Sequence, residues 1–182
     1  MRVCPHCKSE LQKKRYKGIS VEECPHHHGM FFDRGELELA RNNADEDLRW
    51  LDFVLFTADE LKKLQHDQVS CPRCHSDMEA LQYAGSSVII SKCPDCQGVW
   101  LDTGEFEKML NYLQRIVAAE SSSELAEDWK RQAIEVLVGP KKESEELKDL
   151  MAVTRLLEER WTAEHPTIEK ILEVYYELTP FK

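Results

Sequence analysis

The sequence predicts a small α+β protein, in which two short antiparallel hairpin units are each followed by a helix and a helical region completes the chain. Three observations support this class. All seven cysteines of the 182-residue chain fall into two similar clusters, at 4–24 and 71–96. Short segments with a glycine turn lie between the cysteine pairs of each cluster. After residue 118 the chain contains one glycine and repeats apolar side chains at helical spacing.

The two clusters belong to a motif that occurs twice. The first copy reads Cys4-Pro5-His6-Cys7, then Cys24-Pro25-His26-His27-His28-Gly29, then Met30-Phe31-Phe32-Asp33-Arg34-Gly35-Glu36. The second reads Cys71-Pro72-Arg73-Cys74, then Cys93-Pro94-Asp95-Cys96-Gln97-Gly98, then Val99-Trp100-Leu101-Asp102-Thr103-Gly104-Glu105. A repeat of this length predicts two units with the same local fold.

Each unit is predicted to contain a hairpin, a third strand and a helix. Strands at 11–16 and 19–23 flank a turn at Lys17-Gly18, and strands at 81–84 and 88–92 flank a turn at Gly85-Ser86. The apolar segments 31–32 and 99–101 are predicted as third strands.

A helix should follow each third strand. Asp33 and Asp102 are predicted as N-caps, with Glu36 and Glu105 completing a capping box three residues later. The second of these helices is expected to begin near Thr103.

The remainder of the chain is predicted to be helical. The connector 43–70 carries apolar residues at helical spacing, and the C-terminal region should form helices at 123–138 and 144–161 and a third that begins at Pro166. The predicted inward stripe of the second is Leu147, Leu150, Met151, Thr154, Leu157 and Trp161. The resulting division is 1–42, 43–70, 71–118 and 119–182.

The cysteine spacing predicts two metal sites. Two Cys-x-x-Cys pairs separated by a hairpin provide four thiolates at the corners of a tetrahedron, which is typical of structural zinc. In the first copy, alignment with Cys96 selects His27 as the fourth ligand. We therefore predict two Zn²⁺ ions per chain, bound by Cys4, Cys7, Cys24 and His27 and by Cys71, Cys74, Cys93 and Cys96. Iron in the four-cysteine site, or a redox-active cysteine pair, are the alternatives.

Four protein ligands leave no open position for water or substrate, so both sites are predicted to be structural rather than catalytic. The carboxylates of Asp33, Glu36, Asp102 and Glu105 are explained by helix capping. The sequence contains no glycine-rich phosphate loop and no nucleophile motif. We expect a protein that is not an enzyme and has no small-molecule substrate.

Composition and charge limit where the protein is expected to be located and what it is expected to bind. The formal net charge is −10, and the net charges of 1–41, 42–70, 71–118 and 119–182 are +2, −4, −2 and −6. Only the first segment is basic, so the chain as a whole should repel nucleic acid. No apolar run is long enough to span a bilayer. Without a secretory signal, the expected location is cytoplasmic.

The duplicated motif resembles the small prokaryotic zinc ribbons grouped with the transcription-factor-IIB-type zinc finger. The second copy follows that pattern closely through Val99-Trp100-Leu101-Asp102-Thr103-Gly104-Glu105. The first departs from it at His27 and at Met30-Phe31-Phe32. The resemblance implies zinc on the eight predicted ligands, and it implies little about activity because a fold does not determine a function.

Three functions are compatible with these features. The first is a protein-interaction or regulatory, transcription-associated adaptor that binds an unidentified protein partner. Its surface for that partner would include the aromatic residues Trp50, Trp100, Trp129, Trp161 and Tyr176. The second is nucleic-acid binding through the basic hairpin of the first unit, at Lys13, Lys14, Arg15, Tyr16 and Lys17. The third is sensing through oxidation of the thiolates.

Overall fold

The computed structural model describes residues 1–51, 62–63, 69–83, 86–138 and 143–165. Within the chain, Met1–Ile116 and Val117–Lys182 form two compact units. Most of the predicted helical connector and the predicted helix after Pro166 lie outside the described residues. No helix in the described ranges has both the length and the apolar composition needed to cross a bilayer.

The first unit is built on one antiparallel sheet of seven strands. In chain order the strands are β1 (Gln12–Tyr16), β2 (Ile19–Glu23), β3 (Gly29–Phe32), β4 (Lys62–Lys63), β5 (Glu79–Gln82), β6 (Ile89–Lys92) and β7 (Val99–Asp102). Their order across the sheet is β1-β2-β3-β7-β6-β5-β4. The predicted hairpins and third strands are therefore present. The helix expected around Lys62 is not, because Lys62–Lys63 pairs with β5.

The third strands of the two copies join the two halves of this sheet. β3 pairs with β7 along its whole length, with Phe31 opposite Trp100. Side chains at directly opposed positions point to the same face of an antiparallel sheet. Phe31 and Trp100 accordingly lie in one buried cluster with Cys4, Cys24, Cys71 and Cys93. Each copy thus completes its core with the aromatic side chain of the other.

Two glycines permit this exchange of aromatic rings. A Cβ atom at Gly98 would lie 2.3 Å from the ring of Phe31. One at Gly29 would lie 2.2 Å from the carbonyl oxygen of Leu101 and 2.9 Å from the ring of Trp100. Contacts this short do not occur for real side chains, so only glycine leaves room for each ring. The Gly in each second cysteine segment is therefore explained by contact between the copies.

Each copy is followed by a helix, α1 (Glu36–Ala44) or α2 (Glu105–Ala119). Both begin later than predicted. Half of each predicted capping box is present, since Glu36 and Glu105 accept hydrogen bonds from the backbone N–H groups of Asp33 and Asp102. The predicted caps themselves are wrong for α1: the residue before it is Gly35, at φ +82°, and no side chain caps the helix.

The connector begins with a short 3₁₀ helix at Glu46–Leu48, where Asp45 accepts a hydrogen bond from the N–H of Asp47. Leu48 and Trp50 are almost fully buried, and Arg41 on α1 donates to the carbonyl of Leu51. These contacts hold the start of the connector against α1.

The second unit contains the helices α3 (Ser122–Val138) and α4 (Glu143–Glu164). They run antiparallel, because Glu164 at the end of α4 accepts hydrogen bonds from the backbone and hydroxyl of Ser122 at the start of α3. The predicted inward stripe of α4 is wrong for Leu147, Met151, Thr154 and Trp161, which are exposed. The buried face instead contains Glu146, Asp149, Ala152 and Val153.

Candidate metal centres

The second copy places four cysteine sulfurs around one point. Cys74 Sγ lies 3.3 Å from Cys93 Sγ, and Cys71 Sγ lies 3.5 Å from Cys96 Sγ. All four sulfurs are within 4.8 Å of one another, and none forms a disulfide. Sulfurs bound to one zinc at about 2.3 Å would be separated by about 3.8 Å in a tetrahedron. The arrangement therefore fits a zinc site with four cysteine ligands.

The first copy forms a matching group of three cysteines and one histidine. Cys7 Sγ and Cys24 Sγ are 3.6 Å apart. The histidine is His28, whose Nδ1 lies 3.3 Å from Cys24 Sγ and 3.8 Å from Cys4 Sγ. The group of mutually close donor atoms consists of Cys4, Cys7, Cys24 and His28. His27, the residue chosen by alignment, is not in this group, and His28 replaces it as the candidate ligand.

The backbone of the second cysteine segment explains the change of ligand. In the second copy the left-handed residue is Gln97, one position after Cys96, and its N–H donates to the carbonyl of Cys93. In the first copy the left-handed residue is His27, whose N–H donates to the carbonyl of Cys24. The turn of the first copy is thus one residue shorter. In this copy the residue after the left-handed one, His28, joins the cluster, whereas in the second copy it is the residue before it, Cys96.

The first cysteine pair of each site lies on a tight turn that directs N–H groups toward sulfur. The N–H of Cys4 donates to the carbonyl of Ser9, and the N–H of Cys71 donates to Ser76 in the same way. The N–H of Arg73 lies 3.4 Å from Cys71 Sγ. Such N–H groups stabilise thiolate. At Cys71 this contact lowers the pKa of the thiol, but burial has the larger effect and raises it.

Each site contains a buried inner thiol and a less buried outer thiol, and the two differ in pKa. Burial raises the pKa of Cys4 to about 11 and that of Cys71 to about 12. The hydroxyl of Ser9, followed by the imidazole of His26, lowers the pKa of Cys7 to about 5. The hydroxyl of Ser76 lowers the pKa of Cys74 to about 6. At neutral pH each metal-free site would therefore offer an ionised outer thiolate and a protonated inner thiol.

This difference predicts that zinc binding is coupled to proton release. At pH 7 the inner thiols must lose protons when they bind the ion, so the apparent zinc affinity should rise with pH. Below a pH of about 6 the outer thiolates of Cys74 and then Cys7 also become protonated, and the affinity should fall more steeply. Competition with a chelator of known affinity across this range measures the effect. An affinity that does not vary with pH would contradict it.

Reciprocal polar contacts tie each cysteine turn to the opposite copy. His6 Nε2 lies 3.0 Å from Asp102 Oδ1, and the guanidinium of Arg73 donates to Asp33 at 3.1 Å. His6 and Arg73 occupy the same place in the repeat, as do Asp33 and Asp102. Both side chains therefore bridge the two copies. The carboxylates predicted to cap helices serve as the acceptors.

A third group of acidic side chains, Glu22, Asp33 and Glu36, also lies close together. The guanidinium of Arg2 is 2.7 Å from Glu22 and 2.9 Å from Asp33. Arg2 therefore supplies the positive charge that this group needs, and we assign no metal to it.

The basic hairpin only partly matches its predicted role. Lys14 pairs with Glu23 at 2.8 Å. The ring of Tyr16 packs edge-on against Phe106, 5.2 Å between centroids, and its hydroxyl donates to Glu107. Tyr16 is therefore engaged within the fold instead of offering a free stacking face. Lys13 and Arg15 lie exposed on edge strand β1.

These features define the first unit as a pair of zinc ribbons that share one sheet and bind two structural zinc ions. A family model described as transcription factor zinc-finger matches residues 3–40 and 70–112, one segment for each copy. The two segments are thus tandem zinc ribbons of this family. Comparisons with curated proteins and with solved structures give no match.

Proposed function

We propose that this protein is a non-enzymatic adaptor that binds a protein partner through its second unit, with a regulatory, transcription-associated role. The observation that carries this proposal is an apolar groove between α3 and α4. It has a volume of about 630 Å³ and includes Ala126, Trp129, Leu157 and Trp161 in its lining. Trp129 and Trp161 are 38% and 41% exposed. Exposed tryptophans in a groove are typical anchors for binding energy.

Two of the other aromatic residues considered for a partner surface are not accessible to a partner. Trp50 and Trp100 are almost fully buried in the first unit. Tyr176 lies outside the described residues. The groove residues Trp129 and Trp161 are therefore the aromatic anchors on which the proposal rests.

Charge next to the groove indicates the chemistry of the partner. A second cavity, which shares Ser123 with the groove, is lined by the acidic residues Glu120, Glu124, Glu127 and Asp128. Burial raises the pKa of Glu120, and its Oε2 atom is buried without a hydrogen-bond partner among the described residues. A lysine or arginine of a partner would satisfy that oxygen. We therefore favour an amphipathic helix with a basic flank as the occupant.

The closed metal sites support the non-enzymatic part of the proposal. Each site contains four protein donors, so neither leaves a position for substrate on the ion. The association with transcription rests on the family description alone.

The test compares two variants of the full-length chain. Wild type, Trp129→Ala/Trp161→Ala and the control Met151→Ala are used to capture proteins from the source cell. Met151 is 64% exposed and is not part of the groove. The protein captured only by wild type and control is then purified, and its affinity is measured by calorimetry. We expect the double variant to bind at least about 30-fold more weakly, the loss of about 2 kcal/mol typical of an anchor residue.

Equal affinity of the double variant and wild type would overturn the proposal. So would a captured set that contains only the chain itself, because the groove would then be an interface between copies.

Nucleic-acid binding is the second candidate, and the exposure of Lys13 and Arg15 favours it. A mobility-shift assay with single-stranded and double-stranded DNA and RNA at two salt concentrations separates it from the adaptor role. A salt-sensitive shift that is lost in Lys13→Ala/Arg15→Ala and retained in Lys14→Ala, whose charge is already paired, would establish this candidate. We expect no such shift, because the chain carries a net charge of −10.

A further inference from the structure

A second imidazole lies at the zinc site of the first ribbon. His26 Nδ1 is 3.4 Å from Cys7 Sγ and 3.3 Å from Ser9 Oγ. The candidate ligand His28 approaches the sulfurs of Cys24 and Cys4 instead. The two rings are nearly perpendicular, with centroids 6.3 Å apart. Both are exposed, so either ring has room to turn.

The distance from His26 Nδ1 to Cys7 Sγ is close to that expected between two ligands of one metal ion. For zinc with Zn–N of about 2.0–2.1 Å and Zn–S of about 2.3 Å, the nitrogen and sulfur ligands are separated by about 3.5–3.6 Å in a tetrahedron. Cys24 to His28 Nδ1, at 3.3 Å, and Cys7 to His26 Nδ1, at 3.4 Å, both approach this value. His28 Nδ1 thus belongs to the group of four mutually close donors, whereas His26 Nδ1 lies at ligand distance from Cys7 alone.

The second ribbon has no equivalent arrangement. The residue that corresponds to His26 is Asp95, which accepts a hydrogen bond from the hydroxyl of Ser76. The residue that corresponds to His28 is Gln97, whose amide donates to the carbonyl of Pro94 at 2.7 Å. Four cysteines already complete that site. The additional donor is thus a property of the site in which a histidine replaces the fourth cysteine.

We propose that His26 is a reserve ligand of the first zinc site, able to take the fourth position when His28 leaves it. Two imidazoles that serve one position allow one to dissociate while the ion remains bound. This matters for the fold, because the two ribbons share one sheet and one core. A lost ligand at the exposed edge of the first site would otherwise weaken both ribbons.

The test uses cobalt(II), whose visible absorption distinguishes three sulfurs and one nitrogen from four sulfurs. Four full-length proteins are loaded with cobalt: wild type, His28→Ala, His26→Ala/His28→Ala, and the matched control His27→Ala/His28→Ala. We expect His28→Ala and the control to retain two cobalt ions and the absorption of a three-sulfur, one-nitrogen site, with affinity within about threefold of wild type. The His26→Ala/His28→Ala protein should bind cobalt at least about tenfold more weakly, a loss of about 1.4 kcal/mol.

Two results would overturn the proposal. If His28→Ala alone is as weak as His26→Ala/His28→Ala, His26 only donates a hydrogen bond to Cys7. If the His27 control is as weak as the His26 double variant, the two residues are equivalent and His26 has no particular role. Circular dichroism of each cobalt-loaded protein at saturating metal checks that the variants fold.

Discussion

Replacing Cys93 with serine is expected to disrupt both zinc ribbons, although Cys93 belongs only to the second. A structural zinc site supplies about 10–16 kcal/mol of apparent binding free energy, whereas a typical domain is stable by only about 5–15 kcal/mol. The loss of one ligand should therefore remove much of what stabilises the sheet. The buried sulfurs of both sites lie in one cluster with Phe31 and Trp100, so the damage should spread to the first ribbon.

The measurement is the zinc content of Cys93→Ser together with its amide NMR spectrum. We expect fewer than two zinc ions at a limiting free-zinc concentration, and the loss of dispersed signals from β1 and β2 as well as from β5 and β6. The control is Ser20→Ala, an exposed position of β2, which should keep both ions. A variant that retains one full equivalent and an unchanged first-ribbon spectrum would show that the ribbons are independent.

Replacing Gly98 with alanine is expected to destabilise the first unit by about 1–3 kcal/mol, the usual cost of overpacking a core. The added Cβ would lie 2.3 Å from Cζ of Phe31, whose side chain is fully buried. At a fixed free-zinc concentration, this should lower the thermal midpoint by about 4 °C per kcal/mol for a domain of this size.

The second variant Gly98→Ala/Phe31→Leu identifies the cause. If the clash with the ring is responsible, the shorter side chain should recover part of the loss relative to Phe31→Leu alone. Gly104→Ala is the comparison, since a Cβ there meets nothing within 4 Å and only the backbone, at φ +85°, is strained. Phe31→Leu should not improve Gly104→Ala. Equal effects of Phe31→Leu in both backgrounds would refute the proposed contact.

The repeat in the sequence was sufficient to predict the hairpins, the third strands and seven of the eight ligands of the candidate sites. The reason is that Cys-x-x-Cys turns have few geometric solutions once a tetrahedral ion must be bound. The eighth ligand could not be predicted by alignment. The choice between His27 and His28 depends on which residue adopts the left-handed conformation, and here the first ribbon differs from the second.

The contact between the ribbons could also not be predicted from local sequence patterns. Phe31 and Trp100 were predicted as strand residues of separate units, and nothing in their spacing indicates that each would pack on the glycine of the other copy. The Asp33 and Asp102 side chains satisfied a capping pattern, but in the fold their partners include distant residues. Asp33 contacts Arg2 and Arg73, and Asp102 contacts His6. Such pairings are decided by tertiary structure.

The prediction of the buried face of α4 was wrong for a different reason. Its apolar residues occupy more than one face, so spacing alone does not decide which face is buried. Val153 is fully buried, whereas Met151 is 64% exposed. The exposed face left by this arrangement is the basis of the proposed partner groove.

X-ray absorption at the zinc edge, combined with elemental analysis, tests the central claim most directly. The two sites together contain seven sulfurs and one imidazole nitrogen. The chain should therefore bind two equivalents of zinc, with an average of 3.5 sulfurs at about 2.3 Å and half a nitrogen per ion. Fewer than two equivalents, or a water oxygen bound to either ion, would contradict the account of two closed sites built into one sheet.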